Sequence, residues 1–194
     1  MQPIDLVWQH LLESAAVKQK LAECAGPAIV EAAERTANLV ARGGKIMLCG
    51  NGGSAADSQH IAAEFTSRLR ASKERPGIAA VALTTDTSFL TARANDYGFD
   101  EVFERLVETL GRPGDVLIGT STSGDSRNVI RAVVRSKEGQ ILTIGLLGGT
   151  GGALARLVDL PIVVPSDCTQ YIQESHIAIG HILCQLVEER LYGS

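Results

Sequence analysis

An imidazole and a carboxylate lie four residues apart at His60 and Glu64, and they are the first candidates for proton transfer or metal binding. Residues at this spacing project from one face of a helix, so a helix here would place the two groups side by side. The glycine loop, residues 50–53, comes shortly before them, and its glycines can adopt the positive φ angles that let a ligand approach the backbone. A lone His-x-x-x-Glu pair is more often a solvated helix pair, so a site here needs support from elsewhere.

A second group of useful side chains is the hydroxyl loop, residues 121–126, which contains Ser121, Thr122, Ser123 and Ser126. A helix is predicted directly after it, and short hydroxyl donors beside a helix N-terminus suit a phosphate group. The alternative is a serine-rich capping turn that binds nothing. Neither the G-x-G-x-x-G pattern of dinucleotide sites nor the Gly-Lys-Ser/Thr of Walker loops is present.

Short apolar runs bounded by glycine and proline predict the elements that position these two loops. The predicted strands are residues 46–49, 78–83, 115–119, 140–146 and 160–164, and the predicted helices are residues 55–70, 99–110, 127–137 and 170–191, with a loop and short helix over 84–94. Ser54 is the predicted N-cap of the first of these helices.

The alternation of strands and helices predicts an α/β fold with a doubly wound, five-stranded parallel sheet of the flavodoxin-like kind. With the strand order 2-1-3-4-5, the glycine loop and the hydroxyl loop are neighbours at the carboxyl edge of the sheet. Folds of this class bind their ligands at that edge, where the winding reverses. The two weak signals therefore combine into one prediction, a site for a phosphorylated ligand.

Two helices are predicted before the first strand, over residues 4–23 and 28–42, with a break at Gly26-Pro27. They cannot complete a sheet layer by themselves, so we expect them to pack on the flank of the sheet or against another subunit. Together with the long apolar C-terminal helix they present more apolar surface than one sheet face can cover. This predicts a homo-oligomer, with a tetramer as the expected state, built from a single domain of 194 residues.

The composition argues against several classes of partner and location. The formal net charge is −4, which does not favour general binding to nucleic acid or to an anionic membrane. The four cysteines form no C-x-x-C pair, and we expect reduced, mostly buried thiols of a cytoplasmic protein. No apolar stretch is long enough to span a bilayer, and residues 1–5 lack the basic start of a signal peptide.

Several motifs resemble the sugar isomerase (SIS) domain family. The hydroxyl loop, Ser121-Thr122-Ser123-Gly124-Asp125-Ser126, is similar to the phosphosugar-binding loop of that family. Three further motifs are similar to a narrower branch, the members that isomerise sedoheptulose 7-phosphate. These motifs are Cys49-Gly50-Asn51-Gly52-Gly53-Ser54-Ala55-Ala56-Asp57 with Gln59-His60, then Asn95-Asp96-Tyr97-Gly98, and finally Ile172-Gln173-Glu174-Ser175-His176 with His181. The resemblance covers nearly the whole chain from about Gly44 onward.

The resemblance implies an aldose–ketose isomerase that converts sedoheptulose 7-phosphate to D-glycero-D-manno-heptose 7-phosphate through an enediolate, as the first step of nucleotide-activated heptose biosynthesis. It implies that Glu64 and His181 perform acid–base catalysis, and that one zinc ion per subunit is bound by His60, Glu64, Gln173 and His181. The substrate-binding positions that it implies are Asn51, Gly52, Gly53, Glu64, Asn95, Asp96, Ser121, Thr122, Ser123, Ser126 and Gln173. It also implies a homotetramer with its sites near subunit boundaries.

Two alternatives stay open from the sequence. Some SIS-domain relatives bind phosphosugars or regulate replication without catalysis, and others isomerise other sugar phosphates, such as a pentose phosphate. Retention of both Glu64 and His181 favours an enzyme. His176 is expected to support the site or an interface, and Arg68 is a candidate partner of Glu64 or of the phosphate. Residues 166–170 receive no role, because they lack a charge that some relatives place just before Ile172.

Overall fold

A parallel five-stranded sheet lies at the centre of the computed structural model, which describes residues 2–193. The strands are β1 (Ile46–Cys49), β2 (Ala80–Ala82), β3 (Val116–Ser121), β4 (Leu142–Gly148) and β5 (Leu160–Val164). The helices are α1 (Pro3–Val40), α2 (Gly53–Thr66), α3 (Thr87–Tyr97), α4 (Val102–Leu110), α5 (Arg127–Glu138), α6 (Leu154–Leu157) and α7 (Thr169–Tyr192), with a 3₁₀ turn at Phe99–Glu101. The strand order β2-β1-β3-β4-β5 confirms the predicted doubly wound α/β fold.

Successive strand residues face opposite sides of the sheet and contribute to two cores. Leu48 and Ile118 point to the side covered by α1, α2 and α7. Met47 and Leu117 point to the other side, which α4, α5 and α6 cover. Because both faces are buried, the strands appear in the sequence as continuous apolar runs and not as alternating ones.

α1 is one continuous helix, so the predicted break at Gly26-Pro27 is wrong. A proline in a helix interior lacks an N–H donor and costs about 3 kcal/mol. The buried residues Leu21, Ala25 and Ile29 nevertheless keep helical spacing across the proline, and α1 packs on α7 and β5. Burial of this continuous stripe outweighs the missing hydrogen bond, because tertiary packing supplies most helix stability in proteins.

The turn after β1 is tighter than predicted. α2 begins at Gly53 and not after Ser54, so the prediction of Ser54 as N-cap is wrong. Gly52 occupies that position with a φ of 56°, a conformation that glycine adopts readily. Ser54 is buried in the first turn, where a Cβ on Gly50 would lie 2.8 Å from the Ser54 Cβ.

Several element ends also differ from the prediction. α2 ends at Thr66 because the Arg75 guanidinium donates to the backbone carbonyls of Glu64 and Phe65. β3 and β4 each end two residues later than predicted, because their parallel pairing continues to the Ser121–Leu147 pair. No sequence signal predicted α6, which is a single helical turn.

All four cysteines, which lie within residues 2–193, are free thiols. Cys49 and Cys184 are buried, and burial raises the pKa of both thiols. Cys24 is exposed and Cys168 is partly exposed, so the prediction of mostly buried thiols is right for only two of them. Cys24 lies outside the set of buried α1 residues that includes Leu21, Ala25 and Ile29.

The helices described between residues 2 and 193 include none that is both long and apolar enough to cross a bilayer.

Candidate active site

The glycine loop and the hydroxyl loop meet at the carboxyl ends of β1 and β3. The two strands pair in parallel with Cys49 opposite Gly119, so the segments after them leave the sheet side by side. Asn51 of the glycine loop and Asn128 in the first turn of α5 exchange two side-chain hydrogen bonds of 2.9 and 2.8 Å. The predicted adjacency of the two loops is therefore confirmed, and a reciprocal amide pair holds them together.

The hydroxyl loop gathers its donors around Ser121. The Ser121 hydroxyl lies 2.8 Å from that of Ser126 and 3.5 Å from that of Ser123, and it accepts a hydrogen bond from the Gly124 N–H at 3.1 Å. Ser126 is the N-cap residue of α5, yet its side chain makes no capping hydrogen bond. The first N–H groups of α5 and these hydroxyls therefore form a cradle that suits a phosphate.

A second glycine-rich segment, residues 148–152, supports the hydroxyl loop from behind. A Cβ on Gly124 would overlap the carbonyl oxygen of Gly151, and one on Gly148 would lie 2.5 Å from the Thr122 carbonyl oxygen. The Leu154 N–H donates to the Gly124 carbonyl at 3.0 Å. Close backbone packing thus fixes the loop while the Thr122 and Ser123 side chains stay at least partly exposed.

The glycine loop lies against α7 through Gln173. A Cβ on Gly53 would come within 2.7 Å of the Gln173 side-chain nitrogen. Gly52 and Gly53 are exposed, so a ligand can reach their backbone, whereas the Asn51 amide is engaged with Asn128. The structure therefore brings these predicted substrate residues together, and their contacts with a substrate stay a prediction.

His60 on α2 and His181 on α7 face each other across the contact between these helices. Their Nε2 atoms are 3.0 Å apart, and the Glu64 carboxylate lies 3.5 Å from the Nε2 of His60. The His60 side chain is 50% exposed and that of Glu64 is 20% exposed. The helices approach closely because Gly180 has no side chain, and a Cβ there would lie 2.6 Å from Ile61. Three of the four predicted metal ligands are thus in one place.

The side-chain types of His60 and His181, together with Glu64, fit a zinc ion. A tetrahedral zinc with nitrogen ligands at about 2.0–2.1 Å would hold two of them roughly 3.3 Å apart, close to the observed separation. Within residues 2–193, no group of three or more His, Cys, Asp or Glu side chains is arranged as a metal site. Gln173 lies against Gly53, about two helical turns from His181. The metal therefore stays a prediction, supported by the chemistry of the donors.

A second carboxylate, Asp57, lies near the histidine pair and was not among the predicted site residues. Burial raises the pKa of Asp57 above its usual value, while charges on His60 and His181 act in the opposite direction. Asp57 comes three residues before His60, so the same-face spacing that connects His60 to Glu64 identifies it too. Asn128 had no such signal, because its partner Asn51 is 77 residues away in the chain.

Among residues 2–193, the side chains of Asn95 and Asp96 make no hydrogen bond to the glycine loop or to the hydroxyl loop. They lie exposed in the last turn of α3, and the Asn95 amide donates to the Asp96 carboxylate at 2.9 Å. Their role in substrate binding stays a prediction.

The other residues weighed from the sequence have definite positions. Arg68 lies beyond the end of α2 and pairs with Glu74 at 2.9 Å, so the prediction that it could pair with Glu64 is wrong. His176 is buried in the core, with its Nε2 3.0 Å from the Leu147 carbonyl oxygen. Ser166, Asp167 and Thr169 line a polar pocket beside the hydroxyl loop.

Comparison with protein families gives a match to the SIS domain over residues 9–148, more than two thirds of the chain. The match contains both loops, His60 and Glu64, and it ends before α7.

Individual relatives extend the likeness through α7. The phosphoheptose isomerase of Roseiflexus sp. (strain RS-1) is 54% identical over 179 residues, which cover 92% of this chain and 90% of the relative. The solved structure of the phosphoheptose isomerase from Neisseria gonorrhoeae has 46% identity and a TM-score of 0.89, covering 95% of this chain and 98% of that one. The enzyme from Francisella tularensis has 35% identity and a TM-score of 0.93, covering 97% and 100%.

Proposed function

The chain belongs to the phosphoheptose isomerase family of SIS-domain proteins, and from that membership we propose that it interconverts sedoheptulose 7-phosphate and D-glycero-D-manno-heptose 7-phosphate. This is an aldose–ketose isomerisation, and it supplies the first intermediate of nucleotide-activated heptose synthesis. The observation that carries the proposal is the presence of two groups of side chains that suit this reaction. A phosphate cradle stands at the hydroxyl loop, and Glu64 with the His60–His181 pair stands at the contact of α2 and α7.

The reaction needs a base that removes a proton from C1 of the ketose and returns it to C2. We assign this task to Glu64, whose carboxylate is mostly enclosed. Its backbone is fixed, because Arg75 donates to the Glu64 carbonyl at 2.8 Å. His181 is assigned to the transfer of the hydroxyl proton from O1 to O2, since its Nε2 faces the same space. One group then serves the carbon-bound proton and the other the oxygen-bound proton, as an enediolate route requires.

We further propose that His60, Glu64, Gln173 and His181 form a site for one zinc ion per subunit, with the His181 Nε2 off the metal while it transfers a proton, because a zinc-bound nitrogen has no lone pair free for one. The support is the donor chemistry and the 3.0 Å between the two Nε2 atoms. When bound, such an ion polarises the substrate carbonyl and stabilises the developing oxyanion.

The rest of the substrate is assigned to the loops. The Ser121, Thr122, Ser123 and Ser126 hydroxyls and the N-terminal amides of α5 receive the phosphate, whose charge suits that helix end. Asn51, Gly52 and Gly53 line the sugar chain, while Asn95 and Asp96 are proposed to contact sugar hydroxyls. The non-catalytic alternative is not favoured, because the chain is 46–54% identical to named isomerases over nine tenths of its length.

We also propose a homotetramer. Apolar side chains at Ile4, Val7, Trp8 and Leu11, which are 51–66% exposed, recur at helical spacing on the N-terminal half of α1 and are not covered by the described residues. An apolar stripe of this kind on a helix suits burial against the same stripe of another copy. We place the protein in the cytoplasm, which four free cysteines support.

Incubation of the purified protein with sedoheptulose 7-phosphate tests the proposal. We expect the aldose phosphate to form, with far slower turnover of unphosphorylated sedoheptulose and of a ketopentose phosphate. Binding of sedoheptulose 7-phosphate without turnover by zinc-replete protein would favour a non-catalytic SIS protein. Faster turnover of the pentose phosphate would contradict the assigned substrate.

A further inference from the structure

His176 is a buried side chain with one ring nitrogen that lacks a partner. Its residue is 1% exposed, and Nε2 lies 3.0 Å from the Leu147 carbonyl oxygen, so Nε2 carries the proton and donates. Burial lowers the pKa of His176 to about 4, so the ring is neutral at physiological pH. Nδ1 is then a hydrogen-bond acceptor, yet within residues 2–193 it has no donor. Buried polar groups are nearly always satisfied, so this atom calls for an explanation.

A small internal cavity borders this ring. Most of its wall consists of leucine and isoleucine side chains, and its polar members are His176 from α7, Asp57 and Ser58 from α2, and Thr120 from β3, with Gly180 of α7 beside them. The cavity has room for about one water molecule, and internal waters occupy polar spaces that offer two to four partners. Asp57 supplies a carboxylate without a hydrogen-bond donor among the described residues. A water held there would have Nδ1 and the Asp57 carboxylate as its acceptors, because both residues line the cavity.

The position of this cavity connects it to the site. Asp57 lies three residues before His60 on α2, and it is close enough to His60 and His181 for their charges to act on it. His176 lies on α7 between Gln173 and His181. Gly180 lines the cavity and also marks the closest approach of α7 to Ile61 on α2. A bridge across the cavity would thus join the two helices where their histidines meet.

We propose that His176 is a positioning residue for the reaction, and that it acts through one internal water shared with Asp57. The bridge fixes α7 on α2 and so sets the separation of His181 and His60. The catalytic part of this inference rests on the proposed isomerase function, whereas the bridge itself does not.

Three substitutions of His176 separate its two hydrogen bonds. His176→Gln can keep a donor for the Leu147 carbonyl but loses the acceptor at the Nδ1 position. His176→Asn keeps an acceptor there and loses the bond to Leu147, and His176→Phe loses both. We expect kcat to fall by about 10- to 100-fold in the Gln and Phe variants with little change in KM, and to fall much less in the Asn variant. The reverse order of Gln and Asn, or equal effects in both, would overturn the positioning role.

The bridge has its own test, which needs no isomerase activity. A high-resolution crystal structure is expected to show one ordered water within hydrogen-bond distance of the His176 Nδ1 and the Asp57 carboxylate. The chain has four histidines, so ¹⁵N NMR can assign His176, and its Nδ1 should show the chemical shift of a hydrogen-bonded acceptor. Asp57→Leu should displace the water and change that shift. A dry cavity, or an Nδ1 shift that is the same in wild type and Asp57→Leu, would overturn the bridge even if the protein isomerises heptose phosphates.

Discussion

Single residues of the phosphate cradle are oriented before any ligand arrives. Ser121 is buried, and its hydroxyl is held between Ser126 and the Gly124 N–H. A donor that is already oriented loses little conformational freedom when the phosphate binds, which favours affinity. We therefore expect phosphate binding to depend on Ser121 and Ser126 more than on the exposed Ser123.

The double variant Ser121→Ala, Ser126→Ala tests this dependence. Each lost charge-assisted hydrogen bond should weaken binding by about 1–3 kcal/mol, so KM and the inhibition constant of inorganic phosphate should both rise. Ser72→Ala, in an exposed turn outside both loops, is the control and should leave both constants unchanged. Unchanged constants in the double variant would reject the cradle.

The sequence predicted the site residues that are marked by a pattern of a few neighbouring residues. His60 and Glu64 follow from helical spacing, and the hydroxyl loop follows from its composition. The contact of His60 with His181 spans 121 residues, so spacing alone could not predict it, and the family resemblance supplied it. Asn128 and the free nitrogen of His176 were missed because their meaning depends on partners that only the folded chain brings near.

At the scale of elements, the contact between α2 and α7 depends on Gly180. In Gly180→Ala the new methyl group would overlap the end of the buried Ile61 side chain, so either that side chain leaves its rotamer or α7 moves away from α2 and takes His181 away from His60. We expect a loss of about 1–3 kcal/mol in the free energy of unfolding and a lower kcat.

Gly26→Ala is the matched control, because it is also helical and has no atom within 4 Å of the new Cβ. It should keep full activity and gain up to about 1 kcal/mol of stability. Similar behaviour of the two variants would contradict the role of Gly180.

A buried ion pair fixes the far end of the same two helices. The Arg75 side chain is 1% exposed and donates at 2.8 Å to Glu188, which is fully buried on α7 and also accepts from Arg70. Arg75→Met should lower the free energy of unfolding by about 3–5 kcal/mol, because it leaves the Glu188 charge poorly compensated. The exposed Arg68–Glu74 pair provides the control, and Arg68→Met should cost less than about 1 kcal/mol. Chemical denaturation measures both, and equal losses would contradict this account.

The Arg75–Glu188 ion pair also predicts how the stability of the protein depends on pH. Burial acts to raise the pKa of Glu188, but hydrogen bonds from Arg75 and Arg70 outweigh it and hold the pKa below 4.5. The folded pKa is thus below the unfolded one, so this stabilisation is complete above about pH 4.5 and is lost as the pH falls through the folded pKa. Below pH 4.5 the stability of wild type should therefore decline more steeply than that of Arg75→Met.

The elements also show where sequence patterns suffice. The strands and their order were predictable, because buried parallel strands are apolar runs between glycine-rich turns. The break at Gly26-Pro27 was a reasonable prediction from local propensity, and packing along α7 overrode it. Local propensity also favoured Ser54 as an N-cap, but Ser54 packs closely against Gly50 and is buried in the first turn of α2.

For the whole molecule, the N-terminal half of α1 is held in place by polar contacts to α7. Glu174 accepts hydrogen bonds from Ser14 and His10, and those bonds together with Lys18 lower the pKa of Glu174 to about 2. Ile4, Val7 and Leu11 continue the face of Ser14 and Lys18 toward the N-terminus, since residues seven apart lie on the same side of a helix, and together with Trp8 they stay exposed. A fixed helix with this exposed apolar stripe presents a regular surface for a second copy.

The double variant Trp8→Asp, Leu11→Asp should break the oligomer, because it places two charges in the apolar stripe. Light scattering is expected to give a tetramer for wild type and a smaller species for the variant. Lys20→Asp is the control, since Lys20 follows Leu11 by nine residues and therefore lies on the opposite side of the helix. A wild-type protein that scatters as a monomer of 20.5 kDa would contradict the proposed assembly.

The most direct test of the central claim is exchange of the C1 proton of sedoheptulose 7-phosphate with deuterated solvent, compared between wild type and Glu64→Gln. The substitution keeps the shape of the side chain and removes the basic oxygen, so proton removal should slow while substrate binding largely survives. We expect exchange and isomerisation to fall together by about 10²–10⁴-fold, with zinc content measured on the same preparations so that loss of metal is separated from loss of the base. Exchange and isomerisation at near wild-type rates in zinc-replete Glu64→Gln would contradict the assignment of Glu64 and pass the role of base to His181.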